Sequence, residues 1–414
     1  MRARRFSLFA LVLLLGGCAR GGSESEIRGP SDLLILSSTQ GLTALNAGTG
    51  SVLFNGRAAP ALAEIPQLFT ASYAETGTTV RAIQAATGRE ETRFHVDGNL
   101  DIRTVSSDGR VVALMPPLTE GASPWIPEPR TFTDVTVASV SNPAMVQRFL
   151  LRGNFEPEAF SADHRGLYMI SYVPPAAPDS YRVVRLDLHR GTVSPVYGRS
   201  KAPPETMTGT RLMQVPSADG TKLFTLYTSQ PASYAAGYDS WQANSSHPVA
   251  FVHTLSLKNS WAVCVPLPGA FGTGDPRDEA LAASPDGSLF VIDTRKRLIA
   301  VMDPRKLKVV RTARVDFGSL GVEQTHAAVS PDGRTLLVST GESVVTIDTQ
   351  SLRRHRTWNL SGIVDGLGFS SDGKRLFVVG DGEVRTLDPV TGDERRTIRA
   401  PGATGLEYVG AVDR

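Results

Sequence analysis

The stretch 328–360, AVSPDGRTLLVSTGESVVTIDTQSLRRHRTWNL, determines the fold class. Its segment Ser330-Pro331-Asp332-Gly333 predicts a tight turn. Proline presets φ, the aspartate carboxylate accepts hydrogen bonds from nearby backbone N–H groups, and glycine adopts positive φ. Apolar strands are predicted at 335–339 and 343–347, and a third near 353–358. One such unit would be a marginal sheet by itself.

The same turn recurs along the chain. SPDG at 284–287 precedes the central copy by 46 residues, and SSDG at 370–373 follows it by 40, counted between the glycines. Looser copies occur at 106–109, 161–164 and 217–220. A period in the forties with several short strands per unit is typical of a β-propeller, in which blades stack around an axis and share a core. We therefore predict an all-β fold with a single propeller of four-stranded blades.

The two ends of the chain predict how the ring closes. Residues 32–54 contain three predicted strands but no turn of the SPDG type, while TGLEYV at 404–409 is a lone strand after the last full unit. We expect the C-terminal strand to pair with the N-terminal blade, since closure removes exposed sheet edges. Eight sets of outer strands predict eight blades, or seven if the weakly marked unit 68–96 merges with a neighbour.

The N-terminus has the pattern of an export signal. Arg2, Arg4 and Arg5 precede an apolar run at 6–15, which is too short to span a bilayer. Leu15-Gly16-Gly17-Cys18 follows and resembles the lipobox of bacterial lipoproteins. The resemblance implies cleavage before Cys18 and lipidation of its thiol; the alternative is an ordinary cleaved signal peptide. The resemblance implies an extracytoplasmic protein of the bacterial cell envelope, on the outer leaflet of the cell membrane or, depending on the host, at the outer membrane. Contact with the membrane is expected through the lipid anchor only.

Domain boundaries follow from these patterns. We expect a signal peptide at 1–17, a lipidated cysteine and flexible tether at 18–30, the propeller at 31–410 and a short tail at 411–414. The formal charge of the 414-residue chain is +2 at pH 7 and includes the leader arginines. A nearly neutral mature chain gives no electrostatic reason to expect a nucleic-acid partner, and a monomer is expected. The remaining Cys264, in an apolar β-like run, is interpreted as a buried, unreactive thiol.

Five long connections identify the candidate binding face. By strand count, three join the second and third strands of the third to fifth blades, and two join neighbouring blades. They span residues 116–130, 174–180, 229–248, 199–210 and 266–277. In an up-and-down blade both kinds of connection lie on one face, and long loops there are usually functional. The aromatic and histidine side chains in these loops are the candidate binding residues, with packing over the propeller rim as the alternative. They are Trp125, Tyr234, Tyr238, Trp241 and His247.

Catalytic and cofactor motifs are missing from the sequence. The histidines have no metal-ligand spacing, and there is no GxSxG nucleophile motif. The segment 368–375, GFSSDGKR, matches a P-loop except for its final arginine, and it opens a strand instead of a helix. We therefore predict no cofactor, no metal and no catalytic residue.

The SPDG turns and the strands after them, such as 289–292 and 376–379, resemble YVTN/WD-type propeller repeats of bacteria. The segments 45–50, 83–88 and 387–392 are similar to turns of quinoprotein-type repeats, with Phe54, Phe94 and Ile398 where those repeats have a docking tryptophan. The superfamily includes periplasmic binding and scaffold propellers, the translocation protein of the Tol–Pal system and lactonase-type enzymes. The resemblance does not decide among these functions. The missing catalytic motifs and the loop-rich face favour a non-catalytic binding or scaffold module for a protein, peptide or glycan. The alternative is a hydrolase of the lactonase type with its site at the axial channel.

Overall fold

The structure is a computed structural model that describes residues 31–62, 66–119, 128–204, 206–228, 250–269, 271–272, 274–321 and 323–412. These residues form eight four-stranded antiparallel sheets, numbered here as blades I to VIII in chain order. One 3₁₀ turn, Pro276–Asp278, is the helical element of the described chain. The predicted all-β propeller is confirmed, and the blade count is eight and not seven.

Each blade is built from neighbouring strands in chain order, except that blade I takes its innermost strand from the C-terminus. Blade I consists of β1 (Asp32–Ser38), β2 (Gly41–Asn46), β3 (Val52–Gly56) and β32 (Ala403–Ala411), and blade II of β4 (Ala59–Ala61), β5 (Gln67–Ala74), β6 (Gly77–Gln84) and β7 (Glu90–Val96). Blade III consists of β8 (Asp101–Val105), β9 (Val111–Met115), β10 (Phe132–Ser139) and β11 (Val146–Arg152). Blade IV consists of β12 (Asn154–Phe160), β13 (Gly166–Val173), β14 (Ser180–Asp187) and β15 (Thr192–Pro195).

Blades V to VIII repeat the pattern without exception. Blade V consists of β16 (Thr210–Pro216), β17 (Lys222–Thr228), β18 (Phe251–Ser256) and β19 (Trp261–Pro266), and blade VI of β20 (Glu279–Ala283), β21 (Leu289–Asp293), β22 (Leu298–Asp303) and β23 (Lys308–Arg314). Blade VII consists of β24 (Ala327–Val329), β25 (Thr335–Ser339), β26 (Ser343–Asp348) and β27 (Arg354–Asn359). Blade VIII consists of β28 (Gly366–Phe369), β29 (Leu376–Gly380), β30 (Glu383–Leu387) and β31 (Glu394–Arg399).

Pairing of β1 with β32 closes the ring, as the sequence predicted. Leu34 lies opposite Val409 and Leu36 opposite Leu406 in this antiparallel pair. The first strands of successive blades contact one another, for example β8 with β12 and β24 with β28. They are therefore the inner strands around the axis, and the last strand of each blade forms the outer rim.

Two inner strands differ from the sequence expectation. Blade II begins with the three-residue β4, whose Pro60 has no N–H group to contribute to a sheet. Blade IV begins at Asn154, and its first strand lies directly before the loose turn copy at 161–164. Strand β12 contains Pro157 and an irregular register between Pro157 and Ala159, which hides the alternation of apolar and polar residues. Short or bulged inner strands are weak sequence signals because pairing, not periodicity, defines them.

The SPDG turns join the first and second strands of their blades. Ser330 Oγ donates to Asp332 Oδ1 at 2.5 Å and accepts from the Thr335 backbone N–H at 2.9 Å. Asp332 also accepts from the Arg334 N–H at 3.1 Å, and Gly333 has φ 72°. The same Ser–Asp bond is present in four other blades, at Ser106, Ser161, Ser217 and Ser370. The face that holds these turns is called the turn face below; the opposite face, with the long connections, is called the loop face.

The hydrophobic core lies between neighbouring blades. Ile292 and Ile299 of blade VI, for example, pack in one buried cluster with Leu336 and Val345 of blade VII. Such packing explains why the apolar strands of each unit need a neighbour to cover them. In the described chain no helix is long and apolar enough to cross a membrane.

Candidate functional site

The described parts of the long connections lie together on the loop face of blades III to V. The Arg130 N–H donates to the Pro175 carbonyl at 3.1 Å, and Asn154 Nδ2 donates to the Glu128 carbonyl at 2.7 Å. Tyr181 and Met207 exchange two backbone hydrogen bonds of 2.9 and 2.7 Å, which join the start of β14 to the connection leading into blade V. The convergence that strand counting predicted therefore holds for these described segments.

A pocket of about 360 Å³ opens on this face between blades IV and V. Its wall is formed by strand ends of both blades and the short connection between β13 and β14. The lining residues are Ile170, Tyr172, Pro178, Asp179, Ser180, Tyr181, Gly209, Thr210, Arg211 and Tyr227. The volume is within the range of ligand pockets, roughly 300 to 1,000 Å³.

Aromatic rings form one side of the pocket. Tyr172 meets Tyr181 edge-on with ring centroids 6.0 Å apart, and Tyr181 lies 5.5 Å from Tyr227. Tyr227 stacks on Phe251 at 5.1 Å, which anchors the row in the core of blade V. The Tyr181 hydroxyl donates to the carbonyls of Thr208 and Gly209, so its ring is held in place from both ends.

The Tyr227 hydroxyl is a buried polar group in the wall of the pocket. Tyr227 is fully buried, and its oxygen has no hydrogen bond to any residue that the structure describes. Burying an unpaired hydroxyl costs about 1–3 kcal/mol. The oxygen is closed to solvent, so this cost belongs to the fold and not to a ligand site.

Arg211 provides the positive charge of the pocket. Its Nη2 lies 3.1 Å from Glu158 Oε1, which also accepts a bond of 2.9 Å from Gln214 Nε2. The Glu158 side chain is 1% exposed and that of Arg211 is 11% exposed. Glu158 on the inner strand β12 therefore fixes the orientation of the guanidinium on β16.

A second ion pair network lies beside it. Glu156 Oε2 is 2.9 Å from Arg130 Nη2, and its Oε1 is 3.5 Å from Arg103 Nε. Burial raises the pKa of Glu156, while Arg103 and Arg130 oppose that shift. These inner-strand carboxylates are thus compensated by arginines and buried.

The tyrosines of the pocket and the nearby His253 are uncharged near neutral pH. Burial raises the pKa of Tyr172 to about 12 and also raises the pKa of Tyr181 and Tyr227. Burial, assisted by the charge of Arg211, lowers the pKa of His253 to about 3. Arg211 and the exposed Asp179 are therefore the charged side chains among the lining residues, and the site suits a mainly apolar group with a few polar atoms.

The predicted binding residues Trp125, Tyr234, Tyr238, Trp241 and His247, and the predicted lipidation site Cys18, all lie outside the described residues. Cys264 forms no disulfide in the described chain and is fully buried in β19, as the apolar run around it predicted. Sequence reasoning missed Tyr172, Tyr181, Tyr227 and Arg211. A signal was available, because all four lie at strand ends next to three of the predicted long connections.

One further carboxylate is unusual. Glu279 on the inner strand β20 is 2% exposed, and its Oε1 accepts from the Gly272 N–H at 2.7 Å. Burial and the neighbouring Asp293 raise its pKa to about 8. Its Oε2 has no partner within the described ranges. Among those same ranges no cluster of His, Cys, Asp and Glu side chains is arranged to bind a metal ion.

The comparisons with known proteins support the architecture. No protein-family model and no curated protein matches the chain. Among solved structures, the dihydro-heme d1 dehydrogenase NirN in complex with DHE is similar over 92% of this chain and 75% of its own, at 12% identity and a TM-score of 0.52. Apo AztD from Citrobacter koseri is similar over 92% of this chain and 98% of its own, at 12% identity and a TM-score of 0.51. At this identity the likeness establishes the β-propeller fold alone.

Proposed function

We propose that this protein is a non-catalytic binding propeller, anchored by lipid in the cell envelope, that holds a segment of a partner protein in the pocket between blades IV and V. The observation that supports this most directly is the row of three tyrosines beside Arg211, which Glu158 holds in place. Such a row offers apolar contact, and Arg211 in the same lining supplies a charged group next to it.

The shape and chemistry of the pocket favour a protein segment over a glycan as the ligand. Its size suits one or two inserted side chains, and rigid pockets lined by tyrosine and arginine are typical hot spots of protein interfaces. Arg211 is held by Glu158, so it is positioned before a partner arrives and loses little conformational entropy on binding. A glycan is the alternative ligand, since sugars also pack on tyrosine rings.

The position in the envelope is part of the proposal. It depends on Leu15-Gly16-Gly17-Cys18 after a basic and apolar leader. In this proposal, the chain belongs with the extracytoplasmic propellers of the YVTN type that bind or scaffold other molecules. Cys18→Ser is expected to prevent lipid attachment, which metabolic labelling with a radioactive fatty acid would measure.

A peptide-display screen with a pocket-blocking variant tests the binding role. Thr210→Trp places a large ring at the pocket wall, while Thr192→Trp places the same ring on the exposed outer strand of the same region. Peptides enriched on the wild-type protein should lose affinity at least about tenfold for Thr210→Trp and keep it for Thr192→Trp. Equal binding to both variants, or binding to a glycan array without any peptide enrichment, would contradict the proposed partner.

A second candidate function, a propeller hydrolase, has one observation in its favour. Glu279 is an inner-strand carboxyl whose pKa of about 8 would suit a proton donor. It is 2% exposed, however, and a hydrolase would need substrate to reach it. A panel of lactone and ester substrates tests this candidate: turnover by the wild type that is abolished in Glu279→Gln would favour the enzyme over the binding module.

A further inference from the structure

Positive charge is concentrated on one sector of the outer rim. The outer strands of blades VI, VII and VIII contain eight Lys and Arg residues and one Glu. The outer strands of the other five blades together contain three Arg and two Glu. We call the eight residues the basic rim. They are Lys308, Arg311, Arg314, Arg354, Arg356, Arg395, Arg396 and Arg399, and all are exposed.

Contacts between successive blades make the basic rim one continuous surface. Arg311 of blade VI donates to the Thr349 carbonyl of blade VII at 2.9 Å, and Arg356 of blade VII donates to the Val390 carbonyl of blade VIII at 2.7 Å. These bonds hold the side chains in place without neutralising them, because a carbonyl carries no net charge.

The acidic residues near the basic rim lie at its two borders. Asp303, Asp348 and Asp388 accept hydrogen bonds from backbone N–H groups of their own turns on the turn face, and Asp393 lies in the same turn as Asp388. Asp388 also pairs with Arg395 at 3.1 Å, and Asp316, at the opposite end of β23, pairs with Arg354 at 3.6 Å. The other six basic residues of the rim have no ion pair to a described residue, so the rim remains positive.

The chain enters the propeller beside this surface. Ser31, the first described residue, donates through Oγ to Asn46 at 3.1 Å in the β2–β3 turn of blade I. Arg396 of the basic rim donates to the Ala47 carbonyl of that same turn at 3.1 Å. The thirteen residues from Cys18 to Pro30 can span at most about 45 Å.

We propose that the basic rim docks the propeller edge-on against an anionic phospholipid bilayer, the surface to which the lipid on Cys18 would tether it. This inference uses the anchor of the proposed function to choose a membrane as the partner. The phosphate groups of anionic lipids attract basic residues that lie within a Debye length of the bilayer surface. Edge-on docking would leave the pocket on the loop face open to a partner.

The test uses protein that has no lipid, so that the rim and the anchor are examined separately. Residues 19–414, made without the leader, contain the complete ring, which β1 and β32 close. The probes are vesicles of phosphatidylcholine with about 30% phosphatidylglycerol, and vesicles of phosphatidylcholine alone. Sedimentation with the anionic vesicles in about 0.05 M NaCl, and loss of binding in about 0.5 M NaCl, is the expected result.

Charge reversal identifies the surface. In the triple variant Lys308→Glu, Arg314→Glu and Arg399→Glu, the side chains replaced have no hydrogen bond or ion pair to other described residues. The vesicle affinity of this variant should fall at least about 30-fold. The matched control Arg110→Glu, Arg165→Glu and Arg190→Glu makes the same change of net charge on the turn face of blades III and IV and should bind nearly as the wild type. Equal loss in both triples, or binding that survives high salt, would overturn the proposal. Binding to soluble heparin without binding to anionic vesicles would also overturn it, since the partner would then be a soluble polyanion.

Discussion

Trp358 of blade VII packs directly against Gly392 of blade VIII. A Cβ atom on Gly392 would lie 2.4 Å from Cγ of the indole, and Gly392 has φ 81° in the turn between β30 and β31. Ile398 occupies the equivalent place one blade later, against Gly50 of blade I. The quinoprotein-like turns thus act as docking points for the outer strand of the preceding blade.

Gly392→Ala should destabilise the propeller by about 2–4 kcal/mol, because it combines overpacking against Trp358 with strain at positive φ. Gly220→Ala is the matched control, since Gly220 has φ 63° and nothing lies within 4 Å of its Cβ position. That variant should lose about 1 kcal/mol, from backbone strain alone. Urea denaturation measures the free energy of unfolding of both variants. Equal losses of this free energy would show that the contact with Trp358 does not restrict the turn.

Ser217→Ala should raise the pKa of Asp219. The hydrogen bond from Ser217 is the main cause that holds this pKa at about 2, below its ordinary value of 3.8. A depressed carboxyl pKa stabilises the fold above the ordinary value, and that stability is lost as the pH falls toward the folded-state pKa. An NMR titration of the Asp219 carboxyl carbon should show a midpoint shifted toward 3.8. Ser370→Ala, which alters the equivalent bond to Asp372, should leave Asp219 unchanged.

The free energy of unfolding should depend on pH through the raised pKa of the Glu279 carboxyl group. Its pKa of about 8 is above its ordinary value of 4.5, so the folded state binds this proton more tightly than the unfolded state. The associated stability is fully present below pH 4.5 and is lost as the pH rises through about 8. Between about pH 5 and pH 9 the wild type should lose about 2–4 kcal/mol more than Glu279→Gln in urea denaturation. Parallel pH profiles of the two proteins would contradict the raised pKa.

The Arg211–Glu158 pair should behave as a buried ion pair. Arg211→Met leaves the Glu158 carboxylate buried without its cation and should cost about 3–5 kcal/mol. Adding Glu158→Gln removes the stranded charge and should restore at least half of the loss. The exposed pair Arg93–Glu90, whose side chains are 59% and 36% exposed, is the control, with a coupling below about 1 kcal/mol in the same double-mutant cycle. A similarly small coupling for Arg211–Glu158 would contradict this expectation.

Removal of β32 should prevent folding to a monomer. A chain that stops at Pro401 leaves the backbone edge of β1 unpaired and opens the apolar contact of Leu34 and Leu36 with the last strand. Exposed edges of this kind promote aggregation. Size-exclusion chromatography should show aggregates for this truncation and a normal monomer when only residues 413–414 are removed. A folded, monomeric truncated chain would show that β32 is dispensable for closure.

The sequence by itself determined the architecture, because its strongest signals are local. Turns such as Ser330-Pro331-Asp332-Gly333 adopt their conformation through bonds within five residues, and the apolar strands after them are recognisable by composition. Their spacing predicted a propeller, and the unmatched strands at the two ends predicted the pairing of β1 with β32. The strands β4 and β12 could not be recognised in the sequence, because a short or bulged strand is defined by the strand with which it pairs.

Only the tertiary structure decided where a ligand could bind. Tyr172, Tyr181 and Tyr227 are separated by up to 55 positions in the chain, and an ordinary strand pattern surrounds each of them. The pairing of strands and the contact of blade IV with blade V bring their rings within 6.0 Å of one another along the row. The basic rim arises in the same way, since three outer strands about forty residues apart become neighbours only when the blades close into a ring. Hydrogen bonds and apolar residues that are close in sequence determine the turns and strands. The contacts between blades determine the pocket and the basic rim.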